Sequence, residues 1–350
     1  MSALPQKDMN DTTDWTRLVR EMPKVELHLH LEGAFTLETL FRLIRKHEPS
    51  TSLRSPDDLR ERFMYTDFSS FINIWNWKNT YFRTGQDFEL SSYHTLEALS
   101  RQNVLYVEPF FSPWDFRNNG LGMEEITESI LAGCARATQD FGIRWNLIAD
   151  INREHGPAEG LSRIEQILRY RDRGVIGIGL GGREKEFPAE AFVDVYARAA
   201  RHHLLLTAHA GEADGPASIR AALDVLHVHR IGHGIRACEE GSLVATLAER
   251  RIPLEVCVTS NVKTGVVPSL SQHPVRTLFD QQLCITINSD DPTMFDCSLT
   301  GEYLLLLDHL GFSPADIKIL SLNGVHASAL DVNAKRQLSS RFEEYWTHYS

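Results

Sequence analysis

Eight short apolar runs, each divided from the next by a longer stretch, constrain this chain more than any other feature. They are VELHLHL from Val25, NVLYVEPFFS from Asn103, WNLIADI from Trp145, VIGIGL from Val175, LLLTAHA from Leu204, RIGHG from Arg230, IPLEVCV from Ile252 and LCITINS from Leu283. Strands apolar on both faces belong to parallel sheets covered by crossover helices. The intervals supply such helices: residues 187–203 and 241–251 carry apolar positions at i, i+3 and i+4, the stripe that packs on a sheet. Eight alternating units predict an α/β fold, a (β/α)8 TIM-type barrel.

The first interval, 35–102, is the longest and holds several helical patterns around FSSFINIWNWKNTYF. It is expected to be an elaborated first β–α connection placed to form a lid. No repeat, low-complexity tract or Pro/Ser-rich linker divides the rest, so a single domain is expected over 21–345, after a polar extension over 1–20. With 42% hydrophobic and 24% charged residues, the chain has the make-up of a globular protein with a sizeable core. A net charge of −11 disfavours nucleic acid or an anionic membrane as partner, because both call for a basic surface. The five cysteines include no C-x-x-C pair and fit reduced thiols, and neither an apolar signal segment nor a membrane-length apolar run is present. A cytoplasmic location follows as an expectation.

Polar residues gather at one end of the runs. His28 and His30 sit two apart near the end of the first, on the same face of a strand, and Glu32 follows. The fifth run leads into His209 and Glu212, the sixth into His233, the eighth into Asp290 and Asp291. In a closed barrel the C-terminal strand ends form one ring, where catalytic groups collect. Imidazole and carboxylate groups without thiolate suit a borderline divalent ion, zinc first, with iron(II) or manganese as alternatives. The fourth run ends Leu180-Gly181-Gly182-Arg183, with no carboxylate or lysine to bridge a second ion, so one metal per chain is expected. The same stretch, Gly177 to Gly182, satisfies G-x-G-x-x-G, but no helix start follows it as a dinucleotide fingerprint requires. Its glycines are expected to let a ligand approach the backbone. His202, His203, His227 and His229 fall in helical or connecting stretches and receive no role.

Together, PKVELHLHLEGA (23–34), TAHAGE (207–212), RIGHG (230–234) and INSDDP (287–292) resemble the adenosine/adenine deaminase family of the amidohydrolase barrels, over roughly residues 20–340. The resemblance implies that His28, His30, His209 and Asp290 hold the metal, that Glu212 gives a proton to purine N1, and that His233 orients and deprotonates the attacking water. Asp290 counts with the catalytic groups. It further implies that Asp291 meets N7, that the Gly182 amide meets N3, and that His30 also faces the substrate. Glu32 stands where nucleoside-acting members carry the Asp that meets ribose, and Val258 where many have Pro. The Asp-Ser-Ser-Glu pattern of adenine-specific relatives is missing from the fourth run, and the H-x-E with P-C-x-x-C design of the other zinc deaminases is missing altogether. The expected activity is zinc-dependent deamination of adenosine to inosine and ammonia. The alternative is deamination of adenine, or of another N9- or N6-substituted adenine such as aminodeoxyfutalosine. A barrel acting on amides or lactams would be expected to carry the bridging group, and a barrel that had lost catalysis could dispense with Glu212 or His233.

Overall fold

Each of the eight apolar runs forms a strand in the computed structural model, which describes residues 15–65 and 68–348. The strands are β1 (Lys24–Glu26), β2 (Val104–Val107, resuming at Phe110–Phe111), β3 (Arg144–Trp145 and Leu147–Asn152), β4 (Val175–Gly181), β5 (Leu205–Ala210), β6 (Arg230–His233), β7 (Leu254–Val256) and β8 (Ile285–Ile287). All ladders are parallel and join neighbours in chain order from β1 to β8. Pro109 lies in the break of β2; it has no N–H to give, though its carbonyl still accepts from Ile148 N at 3.0 Å.

The ring closes beyond the end of β1, through the motif residues themselves. Leu29 bridges Asp290 in parallel, Asp290 N donates to His28 O and His30 N to Asp290 O, both at 2.9 Å. On the other side Phe110 N donates to Leu29 O at 2.8 Å. The two ends of the sheet are thus stitched together at the residues expected to carry the chemistry.

Helix α1 (Trp15–Glu21) precedes the barrel and buries Leu18 and Val19. The polar extension expected over 1–20 therefore ends in a packed helix, and its residues 1–14 lie outside the described residues. Three helices make up the long first connection: α2 (Leu37–His47), α3 (Phe68–Asn79) and α4 (Gly85–Ser100). Thr36 caps α2 by accepting from Thr39 N at 3.1 Å, and Thr84 with Asp87 forms a capping box on α4. Past β4, the segment expected to be helical over 187–203 opens with a 3-10 turn, Ala189–Phe192, and continues as Val193–Arg201, burying Val195, Tyr196 and Ala199. His203 and His227 take left-handed φ values of 55° and 53° in the turns just before β5 and β6, which accounts for them without a catalytic role. Among the described residues no helix is long and apolar enough to cross a membrane.

The barrel interior is charged as well as apolar. Arg230, on β6, donates from Nε to Glu255 Oε1 and from Nη1 to Glu108 Oε2, both at 2.5 Å, and all three side chains are buried. Glu108 also accepts from Tyr106 Oη at 2.7 Å and from Ala329 N at 2.6 Å. Removing the cation leaves two carboxylates buried without it. Arg230→Met should therefore destabilise the fold by about 3–5 kcal/mol, the range for breaking a buried ion pair from one side. The chemical denaturation midpoint reads this, and a loss below about 1 kcal/mol would show that the interior tolerates the bare acids.

Candidate active site

The strand ends converge as the ring topology demands. One ligand atom each from His28, His30, His209 and Asp290 lie within 4.8 Å of one another. His30 Nε2 is 3.2 Å from His209 Nε2, and Asp290 Oδ1 is 3.5 Å from His28 Nε2 and 3.4 Å from His30 Nε2. The far sides of two rings are fixed. His28 Nδ1 faces Glu255 Oε2 at 2.9 Å and His209 Nδ1 faces Leu180 O at 3.2 Å. A carbonyl can only accept, and Glu255, beside the Arg230 guanidinium, is held below the usual carboxylate range despite its burial. Each Nδ1 therefore carries the hydrogen, leaving the Nε2 lone pairs aimed inward. His28 Nε2 is buried without a hydrogen-bond partner. A cation at the centre satisfies that orphaned atom, and three imidazoles with one carboxylate fit a divalent transition metal.

A second grouping, His233, Cys257 and Asp290, also lies close. Burial pushes the Cys257 thiol far up, and its Sγ faces Glu255 O, so it stays a thiol and offers no thiolate. The ring of His233 is oriented by a chain of hydrogen bonds that begins outside the cluster. Val275 N donates to His273 Nδ1 at 3.2 Å, so His273 Nε2 holds the hydrogen and donates to Asn261 Oδ1 at 3.1 Å. That turns the Asn261 amide nitrogen toward His233 Nδ1, 3.1 Å away. His233 Nδ1 is then the acceptor, and the Nε2–H points into the site, 3.6 Å from Glu212 Oε2 and 3.9 Å from Asp290 Oδ2. Burial lowers the His233 pKa to about 3, so this ring is neutral. His233 and Asp290 both adopt left-handed φ, 60° and 62°, strain of about 1 kcal/mol or more each.

Glu212 follows β5 in a loop fixed by a residue that sequence reasoning missed. The Glu184 carboxylate accepts from the backbone amides of Gly211, Glu212, Ala213 and Asp214 at 2.5, 3.2, 2.8 and 2.9 Å. Arg153 adds a bond from Nη2 to His209 O at 2.6 Å. Burial, helped by the charges of Asp290 and Glu184, raises Glu212 to about 8, so its carboxyl carries a proton at neutral pH. Asp291 is pushed well up by burial and by Asp290, and its Oδ1 is buried without a partner. It lies so close to Gly33 that a Cβ there would come within 1.8 Å of Oδ1, which is why a glycine follows Glu32.

These groups face a cavity of about 320 Å³. His30, His209, His233, Asp290, Asp291, Glu212 and Gly182 all line it, and Gly182, at φ 98°, presents backbone only. Phe71, Ile72, Trp75 and Asn76 of α3 form one wall, so the elaborated first connection reaches the site. Glu32 does not line the cavity. Its Oε1 accepts from Ser112 N at 2.7 Å, its Oε2 is buried, and burial raises it to about 7. The G-x-G-x-x-G stretch is mostly strand β4, with Gly182 just beyond it, and not the start of a helix.

The sequence model of the family described as adenosine deaminase matches residues 23–345. The chain is 32% identical over 333 residues to the adenine deaminase of Vibrio parahaemolyticus, covering 95% of this chain and 98% of that one. It is 34% identical over 343 residues to the aminodeoxyfutalosine deaminase of Streptomyces avermitilis, covering 97% and 95%. An amidohydrolase from Burkholderia ambifaria solved with bound zinc superposes with a TM-score of 0.88 at 28% identity, over 98% of this chain and 95% of that one. The family match spans the barrel with all four motifs inside it; the chain belongs to the adenosine deaminase family, hydrolytic deaminases built on the metal-dependent amidohydrolase barrel.

Proposed function

We propose that this protein hydrolytically deaminates a 6-aminopurine bearing a substituent on N9, with aminodeoxyfutalosine the first candidate and free adenine the second. The observation that carries this reading is the cavity. Its volume of about 320 Å³ lies in the range of pockets for drug-sized ligands, and Trp75, Trp114 and Asn118 line it along with Glu212 and Asp291. Adenosine, expected from the motif set, is the weaker reading. The similar relatives are named for adenine and aminodeoxyfutalosine, and Glu32 is turned toward Ser112 instead of standing in the cavity wall where a ribose would meet it.

His28, His30, His209 and Asp290 would hold one divalent ion, for which zinc is the leading choice, as in the Burkholderia relative, over iron(II) or manganese. Bound there, the ion supplies Lewis-acid activation of water, whose pKa falls from about 16 toward about 7. The protein groups divide the remaining work. Glu212 donates its proton to N1, which draws electron density from C6 and opens it to attack. The His233 Nε2–H holds the attacking oxygen, and Asp290 Oδ2 is the acceptor within reach on that side. Asp291, kept protonated, donates to N7, while the Gly182 amide serves N3 and His30 borders the base. Addition of water at C6 and departure of the protonated amino group give the 6-oxopurine and ammonia.

The purified protein should carry about one transition metal per chain, since among the described residues one cluster of four ligands is present, with no bridging group at the end of β4. His28→Ala and His209→Ala should lose both metal and turnover. Elemental analysis giving two ions per chain, or full activity after thorough chelation, would overturn a mononuclear site.

Glu212→Gln should keep metal and fold but lose on the order of 10²-fold or more in turnover, the range for removing a general acid. Because the wild-type carboxyl acts in its protonated form and its pKa is raised to about 8, kcat/KM should be sustained below that pH and fall as pH rises through it. Turnover within a few-fold of wild type in the Gln variant would remove Glu212 from the mechanism.

An ultraviolet screen for ammonia release from adenine, adenosine, deoxyadenosine, aminodeoxyfutalosine and N6-alkyl adenines tests the substrate class. The N9-substituted purines should exceed free adenine in kcat/KM. Adenine turned over best would reverse that order, and deamination of cytidine without any purine would discard the reading.

A further inference from the structure

The cavity contains a carboxyl group for which the mechanism above has no use. Asp150, near the C-terminal end of β3, is 5% exposed and lines the cavity, and its Oδ1 is buried with no hydrogen-bond partner. Folded chains rarely leave a buried oxygen unpaired, and a binding pocket is one place where a ligand completes the bond. The neighbouring strand makes room for it. Alternation along β4 turns Gly177, Gly179 and Gly181 to one face. A Cβ on Gly179 would lie 2.4 Å from Asp150 Oδ1, and one on Gly181 2.5 Å from Oδ2. Glycine weakens a strand, and here two of them surrender their side chains where the Asp150 carboxyl stands.

That position is next to Gly182, whose amide serves N3 in the deaminase reading, on which this inference rests. With Glu212 at N1 and Asp291 at N7, N3 is the remaining ring nitrogen that offers only a lone pair when N9 is substituted, and it requires a donor. We propose that Asp150 is a substrate-recognition residue whose carboxyl O–H donates to the N3 edge of the purine beside the Gly182 amide. Burial, reinforced by the carboxylates of Asp115 and Glu32, raises its pKa to about 8, so it holds the proton that such a bond needs. An ionised carboxylate there would repel the N3 lone pair.

The test uses two inert ligands on the metal-loaded protein, hypoxanthine and 3-deazahypoxanthine, which differ only in whether N3 is a nitrogen or a C–H. Dissociation constants are measured for wild type, Asp150→Ala, the near-isosteric Asp150→Leu, and Asp150→Asn, with metal content and melting temperature alongside. Wild type should prefer hypoxanthine by about tenfold, the worth of one such bond. In both apolar variants the preference should shrink to about twofold, the residue left by the Gly182 amide, while Asp150→Asn, which still has an N–H to donate, should keep most of it. An apolar variant that retains the full preference, a wild type without one, or apolar variants that fail to fold or to hold metal would each overturn the recognition role. If wild type releases ammonia from a 6-aminopurine and only the preference is unaltered, this inference fails alone. If it deaminates no 6-aminopurine, the functional reading fails and takes this one with it.

Discussion

Two charges of one sign buried in a barrel cannot persist without a counter-charge, and the geometry of this site hangs from the one that supplies it. Arg230 reaches Glu108 with one nitrogen and Glu255 with another, and the second oxygen of Glu255 meets His28 Nδ1 at 2.9 Å. The guanidinium keeps Glu255 ionised; the ionised carboxylate keeps the hydrogen of His28 on Nδ1; the inward nitrogen is thereby left as a lone pair. A choice made in the ion pair at the centre of the barrel is transmitted to the ligand cluster through two hydrogen bonds. The ring closure between His28, His30 and Asp290 sets the positions of those ligands, and the Arg230 pair sets which face of the first imidazole is available.

Above that cluster the pocket poses an electrostatic puzzle, because a chain of net charge −11 lines the site of a neutral base with further acids. Burial resolves it. A carboxylate taken out of water beside another carboxylate takes up a proton, and Glu212, Asp150 and Asp291 are all raised for that reason. Protonated, each changes from an acceptor into a donor. The ring nitrogens of a 6-aminopurine other than N9 are lone-pair acceptors, so an acidic pocket with enforced protonation suits them better than ionised groups would. A lysine or arginine in the same places would bring a full positive charge close to any cation that the His28, His30, His209 and Asp290 cluster would hold. The crowding of acids and their complementarity to the base are then one property.

The outline of this arrangement was legible in the sequence, and the reason is periodicity. A parallel strand buried on both faces shows as a continuous apolar run, and the rule that strand ends form one ring brought His28, His209, His233 and Asp290 together across more than 250 positions before any coordinate was known. Residues that act through contacts outside that rule left no such mark. Glu184 clamps four consecutive amides from 27 to 30 positions away, and Glu255 lies 227 residues from the histidine it orients. Each reads in sequence as one acid among 47. Asp150 was visible as a charged residue near the end of an apolar run, the same signal that marked His209, but no motif named it. The glycines of β4 lie in a strand, and two of them make room for a side chain, Asp150, as well as bordering the ligand space. Glu32 shows the same dependence: its position in the motif sets where the backbone runs, while the amide of Ser112, 80 residues on, decides where one carboxyl oxygen turns.

The same dependence on distant partners decides what His233 can do. The family resemblance gives this residue two duties, to orient water and to deprotonate it, and in a neutral imidazole the two require different tautomers. A ring nitrogen bearing hydrogen can hold an oxygen as donor but cannot take its proton. The bonds from Val275 N through His273 and Asn261 leave His233 Nδ1 as the acceptor, so the nitrogen facing the site is the donor. Burial keeps the ring from gaining a second proton at neutral pH. In the proposed mechanism His233 therefore positions the water and Asp290 is the acceptor; its Oδ2 takes a hydrogen bond from Ser260 Oγ at 2.6 Å and retains a further lone pair. In the same mechanism Glu212, whose Oε2 lies 3.6 Å from His233 Nε2, gives a proton to the base. In that reading donor, acceptor and acid fall to three different side chains, and the His233 tautomer it relies on is set by a backbone amide 42 residues away.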